Sequence, residues 1–243
     1  MNLSPGRLDG TRGGGGGRLR RRFGVLAAGC AVALGGSLVL APGAAGHGTA
    51  VSPPSRNYDC WQRWGDDFQN PEMATEDPMC WQAWQADPNA MWNWNGLYRE
   101  GDAGDHEGAV PDGQLCSAGH TSAGRYDALD VPGDWHTTEV GTDFTFVNND
   151  QANHGADYYR VYVTKQGFDP AADELGWGDL ELVAETGKIA PGEGEPAETG
   201  VDVEIDVSAP GRTGHHIVFM IWQASHLDQT FYSCSDVSFS GVL

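Results

Sequence analysis

The sequence predicts an all-β chain: an antiparallel β-sandwich of the immunoglobulin or fibronectin-III kind, with a long insertion of loops and short helices between its first strands. Three observations point there. Val201, Val203, Ile205 and Val207 alternate with Asp202, Glu204 and Asp206, the period-two pattern of a strand with one buried face. His215–Trp222 is almost continuously apolar, as in a central strand covered on both faces. Residues 47–140 are instead rich in Trp, Gly, Asp and Pro and show little strand pattern.

In chain order, the 243 residues begin with a segment that reads as an export leader, residues 1–46. Arg18, Arg20, Arg21 and Arg22 form a basic region, Phe23–Leu40 an apolar one, and Ala44 and Gly46 are the small residues before His47. A disordered arm is the alternative, but the three parts stand in the order a signal peptide requires. Arg20-Arg21-Arg22-Phe23 also fits a twin-arginine signal, beside ordinary Sec export. The expectation is a secreted protein whose single working domain is 47–243.

Beyond the leader, eight basic side chains face 33 acidic ones, and Lys165 and Lys188 are the only lysines. Nucleic-acid binding needs a basic face, so that class is excluded, and an anionic membrane surface is disfavoured. No apolar run outside the leader approaches the ~20 residues of a membrane span. Self-repulsion favours a soluble monomer, and a neutral polymer such as a polysaccharide would not be repelled.

Cys30 leaves with the leader. Cys60, Cys80, Cys116 and Cys234 remain, an even set that predicts two disulfides with three possible pairings. No C-x-x-C spacing supports zinc. Cys60-Trp61-Gln62-Arg63-Trp64 recurs as Cys80-Trp81-Gln82-Ala83-Trp84, each copy placing two Trp at i, i+3 on a short helix. A Cys60–Cys80 bridge would clip the copies together. Most of these Trp serve as staples in a loop-rich region; one or two present flat faces to a ligand. In the second half, Asp143–Val147, Tyr158–Thr164 and Phe231–Phe239 are further strands, and Glu185–Gly200 is a surface loop.

Common nucleophile, phosphate-loop, dinucleotide and zinc-protease motifs are absent. The informative position is His47. A chain cleaved before it carries a free α-amine with pKa near ~8, from which a metal readily displaces the proton. That amine and Nδ1 of the same residue close a chelate, and a second imidazole completes a planar three-nitrogen site suited to copper. His106, His120, His136, His154, His215, His216 and His226 compete as partners, and spacing does not choose among them.

Several ordered motifs carry a resemblance. His47-Gly48-Thr49-Ala50-Val51-Ser52-Pro53-Pro54-Ser55-Arg56-Asn57-Tyr58-Asp59-Cys60 resembles the mature start of bacterial lytic polysaccharide monooxygenases, auxiliary activity family ten. Val110–Ser117, Gln151–His154 with Tyr158–Lys165, and Phe231–Val237 are similar to later family segments in the same order. The likeness runs from His47 to the C-terminus. It implies a copper ion held by His47 and His154, with Phe231 at the axial position, Ala152 shaping the open side and Gln229 behind the ligands. It also implies an external reductant, of unknown identity, and hydrogen peroxide or dioxygen as co-substrate. The expected reaction removes a hydrogen from C1 or C4 of a sugar ring, so that a glycosidic bond of crystalline cellulose or chitin breaks without a general acid. The expected disulfides are Cys60–Cys80 and Cys116–Cys234.

An alternating run over Met91–Gly96 would put Trp92 on the binding surface. Asn95, small and polar, resembles the family members that give mixed C1 and C4 products. A non-catalytic chitin- or cellulose-binding protein and a periplasmic copper carrier are the alternative readings. Release of oxidised oligosaccharides only with copper and reductant separates the three.

Overall fold

A computed structural model describes residues 47–240; the leader reading, on residues 1–46, lies outside the described residues. Among the described residues, ten strands run in chain order: β1 (Gly48–Ser52), β2 (Tyr98–Glu100), β3 (Thr138–Val140), β4 (Asp143–Asp150), β5 (Ala156–Thr164), β6 (Leu180–Glu185), β7 (Glu195–Pro196), β8 (Val201–Ser208), β9 (Gly214–Ala224) and β10 (Gln229–Phe239). One sheet has the order β1-β4-β8-β7, the other β2-β10-β9-β5-β6. The antiparallel expectation holds for every pairing but one. β3 runs parallel to β10, occupying the edge at Val237–Phe239 while β2 occupies Gln229–Phe231 of the same strand. The insertion, between the paired strands β1 and β4, thus returns twice to the second sheet. The stretch read as a loop over Glu185–Gly200 carries the two-residue β7.

β9 is the central strand that its apolar run predicts. Ile217, Phe219 and Ile221 face the insertion, and Val218, Met220 and Trp222 face the first sheet. Val203, Ile205 and Val207 of β8 meet that second face, while Glu204 and Asp206 point outward. Two apolar layers therefore share one strand, and the sheet is covered on both sides.

Short helices of the insertion include α1 (Arg56–Trp64), α2 (Met73–Glu76), α3 (Pro78–Ala86), α4 (Asn89–Trp92) and α5 (His106–Ala109). Asp77 starts α3, since its Oδ1 accepts the Cys80 N–H (3.3 Å) ahead of Pro78. Its Oδ2 accepts from Trp64 Nε1 (2.7 Å) and pairs with Arg63 (2.8 Å), so one aspartate also holds the end of α1. The disulfides join Cys60 to Cys80 and Cys116 to Cys234, as expected. Met91–Gly96 departs from expectation. Residues 89–92 form α4 and a turn follows, so side chains there do not alternate.

A buried ion pair fixes the insertion to β10. Arg56 donates from Nε (2.6 Å) and Nη2 (3.0 Å) to Asp236, and from Nη1 to the Leu129 carbonyl (2.7 Å). His215 Nε2 shares Asp236 Oδ1 at 2.8 Å. Burial alone would raise the Asp236 pKa, but Arg56 and His215 outweigh it and hold the carboxyl below its ordinary range. Among the described residues, no helix is long and apolar enough to cross a membrane.

Two outcomes are expected. Breaking the Cys116–Cys234 bridge, which closes 118 residues, should cost more than breaking Cys60–Cys80, which closes 20. The chain-entropy difference is about 1.5 kcal/mol, readable in urea melts of the paired Cys→Ser variants. The second concerns Asp130, whose pKa burial raises to about 6 against the Ser117 and Cys116 hydrogen bonds. The folded state thus holds this proton more tightly than the unfolded chain. Its stabilising contribution is full below pH ~4 and is lost as pH rises through ~6. Asp130→Asn should therefore gain on wild type by about 2 kcal/mol between pH 4 and pH 7; an equal gap at both pH values would refute it.

Candidate metal centre

His47 is exposed, but its peptide groups are pinned on both sides. Its carbonyl accepts the Gln151 N–H (2.9 Å), and the next N–H, from Gly48, is donated to the Asn95 carbonyl (2.9 Å). Gly48 pairs with Asp150 across β1 and β4. A Cβ at Gly48 would collide with the Asn149 carbonyl and the Trp222 ring, so only glycine permits this approach.

The second histidine rides on the loop that leaves β4. The Asp150 carboxylate, fully buried, accepts N–H groups from Ala152 (3.2 Å) and Gly155 (2.9 Å). Burial raises its pKa, and those backbone donors oppose the rise. Asn153 (φ 55°) and Gly155 (φ 68°) take left-handed conformations, which short polar residues and glycine tolerate. The chain thereby curls back within five residues and presents His154. The His154 carbonyl accepts from Ser225 Oγ (2.8 Å), and the Gly155 carbonyl accepts from Trp222 Nε1 (3.0 Å).

His154 Nε2 is buried and has no hydrogen-bond partner. A buried nitrogen left unpaired is costly, and a metal would satisfy it. Among the described residues, no three His, Cys, Asp or Glu side chains gather as a metal cluster. A site at this edge therefore needs a donor of another kind, and the α-amine of a cleaved His47 is one. The residues present fit copper in this respect: nitrogen donors and an exposed side.

The remaining expected residues divide. Phe231 is buried, stacked on Trp222 (4.4 Å between centroids, 23°) and touching Tyr98 (5.3 Å). Trp222 in turn abuts Gly48 and bonds Gly155, so Phe231 lies one ring beneath the two histidine segments. Ala152 is exposed on the loop itself. Gln229 is buried at the start of β10, where its amide donates to Glu100 (3.5 Å) and its carbonyl accepts from Gln223 (3.4 Å). Asn95 joins the edge directly: its carbonyl holds Gly48, and its Nδ2 donates to Gln151 Oε1 (2.7 Å). Trp92 is 46% exposed at the end of α4, set edge-on to Trp84 and Phe68.

Sequence reasoning missed two features here. Tyr58, Trp61 and Trp94 contact one another through their rings and line an open cleft of about 380 Å³ that reaches Gln151. Repetition of Cys-Trp marked Trp61, but nothing marked its neighbours in space. His226, set aside as an ordinary histidine, stacks face to face on His154. The other five behave as ordinary histidines do: His106 between Tyr232 and Tyr158, His120 on Asp127, His136 on Asp59, His215 on Asp236, and His216 on Thr164 and Gln166.

Comparison with known proteins agrees with this architecture. The family described as "Lytic polysaccharide mono-oxygenase, cellulose-degrading" matches residues 47–237. A lytic cellulose monooxygenase of Streptomyces ambofaciens is 36% identical over 217 residues, spanning 86% of this chain and 58% of that protein. The chitin-binding protein CbpD of Pseudomonas aeruginosa is 34% identical over 223 residues, spanning 85% and 51%. The chain thus spans about half the length of the curated relatives it matches. The solved structure of LPMO10B from Micromonospora aurantiaca is 62% identical, with a TM-score of 0.79 over 80% of this chain and all of that one. CelS2, described as a cellulose-active enzyme in complex with copper, is 32% identical with a TM-score of 0.65 over the same shares. Over residues 47–237, the chain belongs to the family of cellulose-degrading lytic polysaccharide mono-oxygenases.

Proposed function

We propose that this chain is a secreted, copper-dependent monooxygenase that cleaves glycosidic bonds of crystalline cellulose, chitin or both, at C1 and also at C4. The observation that carries the reading is the unpaired Nε2 of His154 on an edge where His47 is pinned by Gln151 and Asn95. The relatives' names, a cellulose monooxygenase and a chitin-binding protein, support the substrate class.

In this reading the α-amine and Nδ1 of His47 and Nε2 of His154 hold one copper ion. Copper bound there supplies the redox chemistry, with an external reductant and hydrogen peroxide or dioxygen, for removing a hydrogen from C1 or C4. The chain's own residues position and exclude. Phe231, covered by Trp222 and Tyr98, would keep water from the inner side of a bound ion. Ala152, small and exposed, leaves the outer side open to a sugar ring. Gln229, bonded to Glu100, is assigned a place behind the ligands by family resemblance. Trp92, with the Tyr58, Trp61 and Trp94 rings, offers flat faces to the C–H face of pyranoses. The Asn95–Gln151 amide pair sets how closely a chain approaches beside His47.

Two tests address the site. The mature protein should start at His47 and bind one copper. A single added residue converts the amine to an amide, and His154→Ala removes the third nitrogen. Either change should lower copper affinity by orders of magnitude in calorimetry and abolish release of oxidised oligosaccharides. Intact affinity in the extended form would refute the assignment, and binding to cellulose without such release would leave a binding protein. On regioselectivity, wild type should give C1 and C4 products from cellulose and C1 products from chitin. Asn95→Phe should suppress the C4 products in chromatographic profiles while sparing C1, and Trp92→Ala should weaken cellulose binding several-fold. Only aldonic acids from wild type would remove the mixed-product assignment and leave the copper site standing.

A further inference from the structure

The turn between β9 and β10 grips His154 twice. Ser225 Oγ donates to its carbonyl at 2.8 Å. The next residue, His226, lays its ring over the His154 ring, with centroids 3.5 Å apart and planes 9° from parallel. The turn is itself anchored at its far end. The Asp228 carboxylate accepts the Ala103 N–H (3.0 Å), and the Asp228 carbonyl accepts the Gly101 N–H (3.1 Å). His226 is therefore presented to His154 from a fixed platform.

The geometry of the stack is informative. Aromatic rings of equal electron density avoid a parallel sandwich, because both faces carry negative potential. A ring whose Nε2 lone pair is donated to a cation loses part of that density. Its face then attracts the electron-rich face of a neutral imidazole, as cations attract aromatic faces. The sandwich thus suits a His154 that holds a metal. Nor is His226 simply core filling. It is half-buried and borders an open cleft of about 450 Å³, which Tyr158, Gln223 and Asp228 also line.

We propose that His226 is a positioning residue for the metal centre, holding the His154 imidazole in its ligating orientation through the ring stack. The proposal rests on the assignment of His47 and His154 as copper ligands. It adds a role for a residue outside the set of ligands and predicts that a planar ring, not volume alone, is required at position 226.

The experiment loads copper into the mature protein and its His226→Leu, His226→Phe and His226→Ala variants, each first checked for a cooperative thermal transition. Copper affinity is measured by calorimetry, and the Cu(II) site by electron paramagnetic resonance. Leucine fills the volume without a π face; phenylalanine retains the face. His226→Leu and His226→Ala should weaken copper binding about three- to ten-fold and split the resonance into more than one species. His226→Phe should restore a single species and most of the affinity. Wild-type affinity and spectrum in His226→Leu, or a Phe variant no better than Leu, overturns the proposal. His154→Ala runs in parallel. If it loses copper while the His226 variants do not, the positioning role alone falls. If it keeps copper, the ligand assignment falls with it.

Discussion

A buried carboxylate must find hydrogen bonds, and Asp150 finds them in the loop that follows it. Its side chain collects the Ala152 and Gly155 N–H groups, while its backbone pairs with Gly48 on one side and Val201 on the other. One residue thereby sets the register of three strands and the curl of the segment that bears His154. The cost of hiding the carboxylate shows in its raised pKa, and the two backbone donors offset that cost. Gln151, directly after it, holds the His47 carbonyl and the Asn95 amide. His47 precedes β1 and His154 follows β4; the strands are antiparallel with Gly48 opposite Asp150, so both histidine segments leave the same end of the pair.

Support from below has a different character. Trp222 reaches across from the second sheet, packs under Gly48, bonds the Gly155 carbonyl and stacks on Phe231. A rigid aromatic pair beneath a polar edge excludes water from the inner side without offering a metal ligand of its own. The insertion supplies the third wall. Arg56 and the Cys116–Cys234 bridge tie it to β10 at Asp236 and Cys234. Removing one partner of such a buried pair leaves an uncompensated charge, which typically costs about 3–5 kcal/mol. Asn95 therefore reaches His47 from a segment fixed to the same strand that carries Phe231.

The strands were legible because their burial is periodic. Val201–Val207 is covered on one face and alternates; β9 is covered on both and does not. His47 stood out for a chemical reason: cleavage at the small-residue boundary before it would expose an amine beside an imidazole. His154 was distinguishable from six other histidines only by resemblance. Residue spacing carries no record of which side chains meet when the partner lies far along the chain, as Ser225 lies 71 residues from His154 and Asn95 lies 56 from Gln151. Met91–Gly96 was misread because a six-residue polar and aromatic run lacks a decisive period, and Pro88 with the Asn89 turn favours a helical start. His226 stayed hidden for the same reason that five other histidines were read correctly. A single histidine carries no local signal, and its role depends on a ring brought beside it by a hairpin.

The proposed metal site, of two imidazoles and a terminal amine, would invert the usual behaviour of chain ends, which fray unless tied down. Here the tie falls within the same residue as the proposed donor, on the carbonyl two bonds from its nitrogen. The His47 carbonyl is bound to Gln151 and the Gly48 N–H to Asn95, while the His47 side chain stays exposed. The peptide plane after His47 is therefore fixed by the sheet, and the amine of a cleaved chain can swing about a single residue's dihedrals. Most of the ordering entropy that a terminal chelate would otherwise lose on metal binding, about 1–2 kcal/mol per residue, is already spent in folding β1. Under the proposed function, the same arrangement would make processing a chemical switch. While residues precede His47 its nitrogen is an amide with no available lone pair, and once they are removed the nitrogen becomes an amine with pKa near ~8 that a cation can claim at neutral pH. On that proposal, folding of the edge and cleavage before His47 would be separate requirements, and the edge could be complete before the donor set is.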